Sequence, residues 1–196
     1  AVMIIALALL DDLPIMTIAF DNAQAAPKPV KWDMPRVFLI SSVLGIASVV
    51  QSFLLLFLGK EIYDLDAPHI QTMMFLQLVA GGHLMLFLTR SVGPFWKAPF
   101  PDIRLFGAVV GTQLVAVALC GFGAGAFIPA LPWRIVGWVW VYNLVWMFAL
   151  DFVKMVIYRV LNDWNLHGGT SLFTRLSTQL SPYGSLHARI RKRLRG

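Results

Sequence analysis

Between Arg36 and Lys60 lie 23 residues, VFLISSVLGIASVVQSFLLLFLG, without a formal charge. A helix needs about 20 apolar residues to cross a bilayer core. In lipid only a helix or a closed barrel satisfies every backbone N–H and C=O internally. The rest of the chain repeats the pattern. It is 58% hydrophobic and 13% charged, against about 25% charge in an ordinary soluble domain. These features predict an all-α integral membrane protein.

Four further stretches complete an expected bundle of five transmembrane helices. With 37–59, the spans are about 1–20, 68–89, 105–125 and 133–158. They make a transmembrane region over 1–159, followed by a basic tail over 160–196. In the second span Ser41, Gly45, Ser48 and Ser52 place small residues at spacings that let membrane helices approach closely. Gly107 and Gly111 form a similar step in the fourth. The sequence GFGAGAFIPALP, from Gly121 onward, reads as a loop or re-entrant bend. Trp133, Trp138 and Trp140 cluster at one end of the fifth span, as expected at a membrane interface.

The first span carries the feature least suited to lipid. Asp11, Asp12 and Pro14 sit in the middle of it. A charge at the bilayer centre costs at least ~2.5–3.5 kcal/mol on insertion scales. Pro14 has no N–H, so the Leu10 carbonyl loses its helical partner. The expectation is a helix interrupted at Asp-Asp-Leu-Pro, where an acid beside a free carbonyl builds an ion site. The alternative is that Asp11 and Asp12 lie near one membrane face and are solvated.

Other polar groups in the spans have plainer readings. His83 reads as a hydrogen-bonded interhelical residue, with proton carrier as the alternative. Asp151 and Lys154, three apart, share a helix face. Lys154 is expected to snorkel toward the interface and neutralise Asp151, so the pair reads as mainly structural rather than part of an ion path. Cys120 is the single cysteine, so no intrachain disulfide forms. No spacing suggests a metal.

Of the 16 basic residues, 14 fall in the 21–36 link, the 90–104 turn and the stretch from Lys154 onward; Lys60 and Arg134 are the other two. The positive-inside rule places the first set in the cytoplasm. The net charge of +6 flanks membrane spans and points to anionic lipid rather than nucleic acid. The tail ending Arg189-Ile190-Arg191-Lys192-Arg193-Leu194-Arg195 is either solvated or an electrostatic anchor. The chain opens at Ala1 with no charged leader, inside an apolar span, which reads as a fragment.

The stretch Asp11-Asp12-Leu13-Pro14-Ile15-Met16-Thr17-Ile18-Ala19-Phe20-Asp21-Asn22, with the proline-rich link and Trp32 after it, resembles the sixth transmembrane helix of plasma-membrane proton-pumping P-type ATPases. Gly81-Gly82-His83-Leu84, Phe87-Leu88-Thr89-Arg90 and Gly93-Pro94-Phe95-Trp96 look like the eighth helix and its exit. Trp140 through Lys154 looks like the tenth. The order matches the last five of ten helices, in a prokaryotic-like form with a short tail. In that family an Asn-Asp or similar pair precedes Met-Thr-Ile. Asp12 matches the central proton-binding carboxylate, and Asp11 stands where asparagine is common, so that it either adds a second titrating group or simply lies exposed. The resemblance thus implies Asp12 as the proton site, with Asp11 and Pro14 as accessories.

The implied function is the carboxyl-terminal membrane part of an ATP-driven proton exporter in the cell membrane. The alternatives are a pump for another cation, or a non-enzymatic accessory or scaffold protein. The chain has no DKTGT phosphorylation motif and no nucleotide-binding domain, so it cannot hydrolyse ATP alone. No cofactor is expected in it, and Mg-ATP is implied for the complete pump. The implied partners are the proton, membrane lipid and the missing amino-terminal half.

Overall fold

The computed structural model describes residues 2–22, 34–97, 99–125 and 127–166. All regular structure there is helical. The elements are α1 (Val2–Thr17), continued by a short 3-10 turn (Ile18–Phe20), α2 (Met34–Glu61), α3 (Ala67–Thr89), α4 (Ile103–Phe122) and α5 (Trp133–Leu166). Among the described residues four segments are long and apolar enough to cross a membrane: Val2–Phe20, Arg36–Glu61, Ala67–Thr89 and Ile103–Phe122. The chain divides into two compact units, Ala1–Met155 and Val156–Gly196. The helix bundle described below is the first. The Pro27-Lys28-Pro29 link and the basic tail beyond Leu166 lie outside the described residues.

The bundle is built on α3. This helix packs against α1, α2 and α4, and it alone has half of its span buried. Its inward side chains include Met73, Phe75, Leu76 and Val79. They meet Leu55 of α2, Ala116 and Cys120 of α4, and Ile135, Val136 and Val139 of α5 in one core cluster. The outer helices are apolar on every side and leave large side chains exposed, such as Ile4, Ile46, Phe53 and Leu114. That is the surface a lipid solvent favours, since lipid tails are as apolar as the side chains they meet. Gly107 and Gly111 of α4 face open space. Their step therefore makes no helix contact among the described residues.

The helix ends follow from local chemistry. Asp66 precedes α3, with Pro68 in the first turn where no N–H partner is needed. The His69 ring bonds the Asp66 carboxylate, which holds that carboxyl below its ordinary value. At α4, the Asp102 side chain accepts from the Arg104 N–H at 2.8 Å. Gly123 ends α4 at φ +78°, a left-handed conformation in which glycine has no Cβ penalty. The chain then returns as a loop, fastened where Leu131 N–H donates to the Cys120 carbonyl at 2.7 Å. Ile128 and Leu131 bury there, so the described residues between Gly123 and Pro132 form a loop packed on the bundle.

Candidate proton-binding site

α1 differs from expectation at its centre. The helix runs unbroken from Val2 to Thr17 with Pro14 inside it, so no interruption occurs at Asp-Asp-Leu-Pro. The reason lies in the neighbouring helix. Pro14 does free the Leu10 carbonyl, as its missing N–H requires, but His83 Nε2 of α3 takes the vacant place, donating to Leu10 O at 3.2 Å. With that carbonyl satisfied from outside, the helix continues. Thr17 Oγ1 also donates back to the Pro14 carbonyl at 2.8 Å.

Helical geometry then sorts the two acids. Leu10 and Pro14 are the buried residues of α1, and Asp11, half-buried, turns to the same side. Its Oδ1 lies 3.4 Å from His83 Nε2. Asp12, about 100° further round, is exposed beside Leu13. His83 is itself buried, and Gln113 of α4 holds its other nitrogen. Gln113 Nε2 lies 2.7 Å from His83 Nδ1 and donates to the Val79 carbonyl at 3.1 Å. Three helices therefore meet at Asp11, His83 and Gln113.

Below this cluster α1 is pinned by charge. Asp21, in the same stretch, takes two hydrogen bonds from Arg90 at the end of α3, Nε to Oδ2 at 3.0 Å and Nη2 to Oδ1 at 2.9 Å. Asp102 N–H donates to Asp21 Oδ1 at 3.2 Å, and Arg90 Nη1 donates to the Pro99 carbonyl at 2.6 Å. Both charged side chains are nearly buried. A planar guanidinium matches a carboxylate with two parallel bonds, which makes this a directional clamp between α1, α3 and the entry to α4.

Between α2, α3 and α5 lies a cavity of about 240 Å³ lined in part by Ser48, Gln51, Ser52, Gln77 and Asn143. Asn143 of α5 donates to Gln77 Oε1 at 2.7 Å and accepts from Gln51 Nε2 at 3.1 Å. Tyr142 donates to the Gln51 carbonyl at 2.6 Å. This amide network joins α2, α3 and α5 without a formal charge. Among the described residues no three His, Cys, Asp or Glu side chains converge as a metal site would require.

No family model matches the chain. Individual proteins do. The chain is 35% identical over 159 residues to the "Putative cation-transporting ATPase" of Methanocaldococcus jannaschii, covering 81% of this chain and 20% of that protein. It is 36% identical over 124 residues to "Plasma membrane ATPase 1" of Saccharomyces cerevisiae, covering 62% and 13%. It is 27% identical over 197 residues to "Probable proton ATPase 1A" of Leishmania donovani, covering 86% and 20%. The chain is homologous to the carboxyl-terminal region of P-type ATPases. It spans a fifth or less of the length of these relatives.

Within this P-type ATPase homologue, the residues expected to matter divide into groups. Asp11, Pro14 and His83 come together. Asp12 stands apart from them, on the open side of α1. The Asp151–Lys154 pair is made, Nζ to Oδ1 at 2.7 Å, but both side chains are buried, so Lys154 does not snorkel. Its ammonium instead donates to the carbonyls of Leu88 at 2.9 Å, Ser91 at 3.3 Å and Gly93 at 2.8 Å. It thereby closes the carboxyl end of α3, where the carbonyls lack helical partners. Gln113, Asn143 and Gln51 were missed by sequence reasoning. The available signal was that an amide in an apolar span seeks a partner on another helix.

Proposed function

We propose that this chain is the carboxyl-terminal membrane part of an ATP-driven proton-exporting P-type ATPase of the cell membrane, and that Asp12 binds the transported proton. The observation that carries the reading is the similarity to proteins named as cation-transporting, plasma membrane and proton ATPases, reaching up to 86% of the chain. Two features of α1 support the assignment to Asp12. It is the second acid of the Asp-Asp pair, which the family resemblance aligns with the proton carboxylate. It also lies on the side of α1 that the described helices leave open, where the remaining helices of a complete pump would close over it.

The chemistry requires a carboxyl that is neutral in one conformation and charged in another. Burial favours the neutral form, and an approaching cation or water favours the charged form. In the full-length pump, phosphorylation of an aspartate elsewhere, from Mg-ATP, drives helix movements between these environments. Asp12 loads from the cytoplasm and unloads outside. The half-buried α3 and its links to α1, the Asp21–Arg90 clamp and the His83 bond, give such movements a frame. Five crossings with a cytoplasmic tail and anionic lipid at that tail complete the reading, on the strength of the charge asymmetry.

The second reading is a pump for another small cation, because the name of the 35% identical relative leaves the cation open. The experiment is ATP-driven transport by the full-length protein in sealed vesicles, with internal pH and other cations followed together. Acidification that needs no other cation supports proton export. Stoichiometric uptake of another cation without acidification overturns it in favour of the second reading.

A further inference from the structure

The cluster at the centre of α1 is one proton short. His83 Nδ1 faces the Gln113 amide nitrogen at 2.7 Å, and that nitrogen also donates to the Val79 carbonyl at 3.1 Å. The nitrogen end of the amide points this way, which leaves Gln113 Oε1 buried without a partner; the reversed amide would instead set that oxygen against the Val79 carbonyl. Nδ1 is thus an acceptor, and the ring's single proton sits on Nε2. Two acceptors compete for it. The Leu10 carbonyl, freed by Pro14, makes the hydrogen bond at 3.2 Å. Asp11 Oδ1 stays at 3.4 Å, buried and without a hydrogen bond.

A buried carboxylate oxygen without a donor is costly while it is charged. An arriving proton has two destinations. On Nδ1 it would meet the Gln113 N–H head-on. On Asp11 it converts the carboxylate to a neutral carboxyl and leaves the His83 and Gln113 bonds in place. We propose that Asp11, its surroundings arranged by His83 and Gln113, is a second proton-binding carboxyl of this membrane region, distinct from Asp12. His83 acts as a positioning residue that stays neutral.

The charged and titratable groups nearby are few. On α1 the neighbour is Asp12. From α3 the cluster receives His83, while Arg90 is engaged with Asp21 at the helix end. From α4 it receives the uncharged Gln113, and Arg104 lies over the ring of Phe20, nine residues from Asp11 along the chain. Adjacent carboxyls oppose each other's ionisation, so protons on the two acids are coupled. Occupancy at Asp11 therefore sets the pH range over which Asp12 loads and unloads. That regulatory role rests on the reading of Asp12 above; proton binding at Asp11 does not.

The test is infrared difference spectroscopy on the full-length protein in proteoliposomes, titrated with pH, with ¹⁵N NMR of His83. The wild type should show two protonated-carboxyl carbonyl bands from this segment. Asp11→Asn should remove one, Asp12→Asn the other, and Asp11→Glu should restore a displaced band. The His83 nitrogens should keep the neutral Nε2–H pattern throughout. Where transport is measured, Asp11→Asn should move the midpoint of its pH profile to lower pH by about one unit, a tenfold change in proton concentration. An Asp11→Asn spectrum with both bands intact overturns the proposal, as does a His83 ring that gains the proton instead. Transport surviving in Asp12→Asn would sink the Asp12 reading alone, because the Asp11 band reports binding whatever the protein transports.

Discussion

Lys154→Met removes a buried charge from a site where every partner is fixed. The side chain keeps its approximate length, so packing changes little. Asp151 is left buried without a counter-charge, and the Leu88, Ser91 and Gly93 carbonyls lose their shared donor. Breaking a buried ion pair from one side costs roughly 3–5 kcal/mol. The lost carbonyl bonds are included in that figure, since their cost is not additive with the unpaired carboxylate. Replacing both partners, Asp151→Leu with Lys154→Met, removes the orphaned charge. The double variant should therefore be more stable than the single one, by at least about 1 kcal/mol on the usual behaviour of such pairs. The assay is a double-mutant cycle on reversible denaturation of the protein in detergent, followed by circular dichroism. A Lys154→Met loss below about 1 kcal/mol would contradict a buried, fully partnered ammonium. It would place the ammonium in solvent, where an ion pair contributes that little.

Three further outcomes concern other parts of the chain. A Cβ at Gly121 would overlap the Trp133 ring, so Gly121→Leu should destabilise by ~1–3 kcal/mol through overpacking and shift the Trp133 fluorescence; an unchanged protein would mean that the α4–α5 junction is looser than described. The Asp66 carboxyl titrates below the ordinary 3.8 because the His69 side chain bonds it, so its contribution is complete above 3.8 and is lost as pH falls through the lower folded value. NMR of Asp66 should show that midpoint and lose its depression in His69→Ala; a midpoint at 3.8 in the wild type would contradict the contact. Single cysteines placed at Asp64 and Ser185 in a Cys120→Ala background should react from outside and from the cytoplasm respectively, and external labelling of Ser185→Cys would reverse the proposed topology.

Much of the architecture was legible because the bilayer imposes so few solutions. Charge-free runs of about 20 residues read as helices without any knowledge of packing. Pro14 was equally legible as the residue that frees the Leu10 carbonyl. That the helix nonetheless continues was not, because the compensating donor, His83, lies 73 residues away in the chain. Nor could helix periodicity say which of Asp11 and Asp12 faces the bundle; the family resemblance alone told them apart. α1 is apolar all round, and its sequence carries no stripe to say which acid faces α3. Only the packed bundle decides that Asp11 turns inward. The Asp151–Lys154 pair shows the same division. Its spacing announced the ion pair, whereas the three carbonyls that draw Lys154 into the protein belong to a turn some 60 residues earlier. Helix-local chemistry is written in adjacent residues, and partners from other helices are not.

Asp12 is proposed to bind the proton that the complete pump carries. Asp12→Asn keeps the size of the side chain and removes its titration. The most direct measurement is ATP-driven acidification by vesicles containing the full-length Asp12→Asn protein, with phosphoenzyme level and membrane insertion measured in parallel. The expected result is a protein that inserts and forms phosphoenzyme yet moves no protons. Acidification at the wild-type rate would contradict the account and remove Asp12 from the proton path.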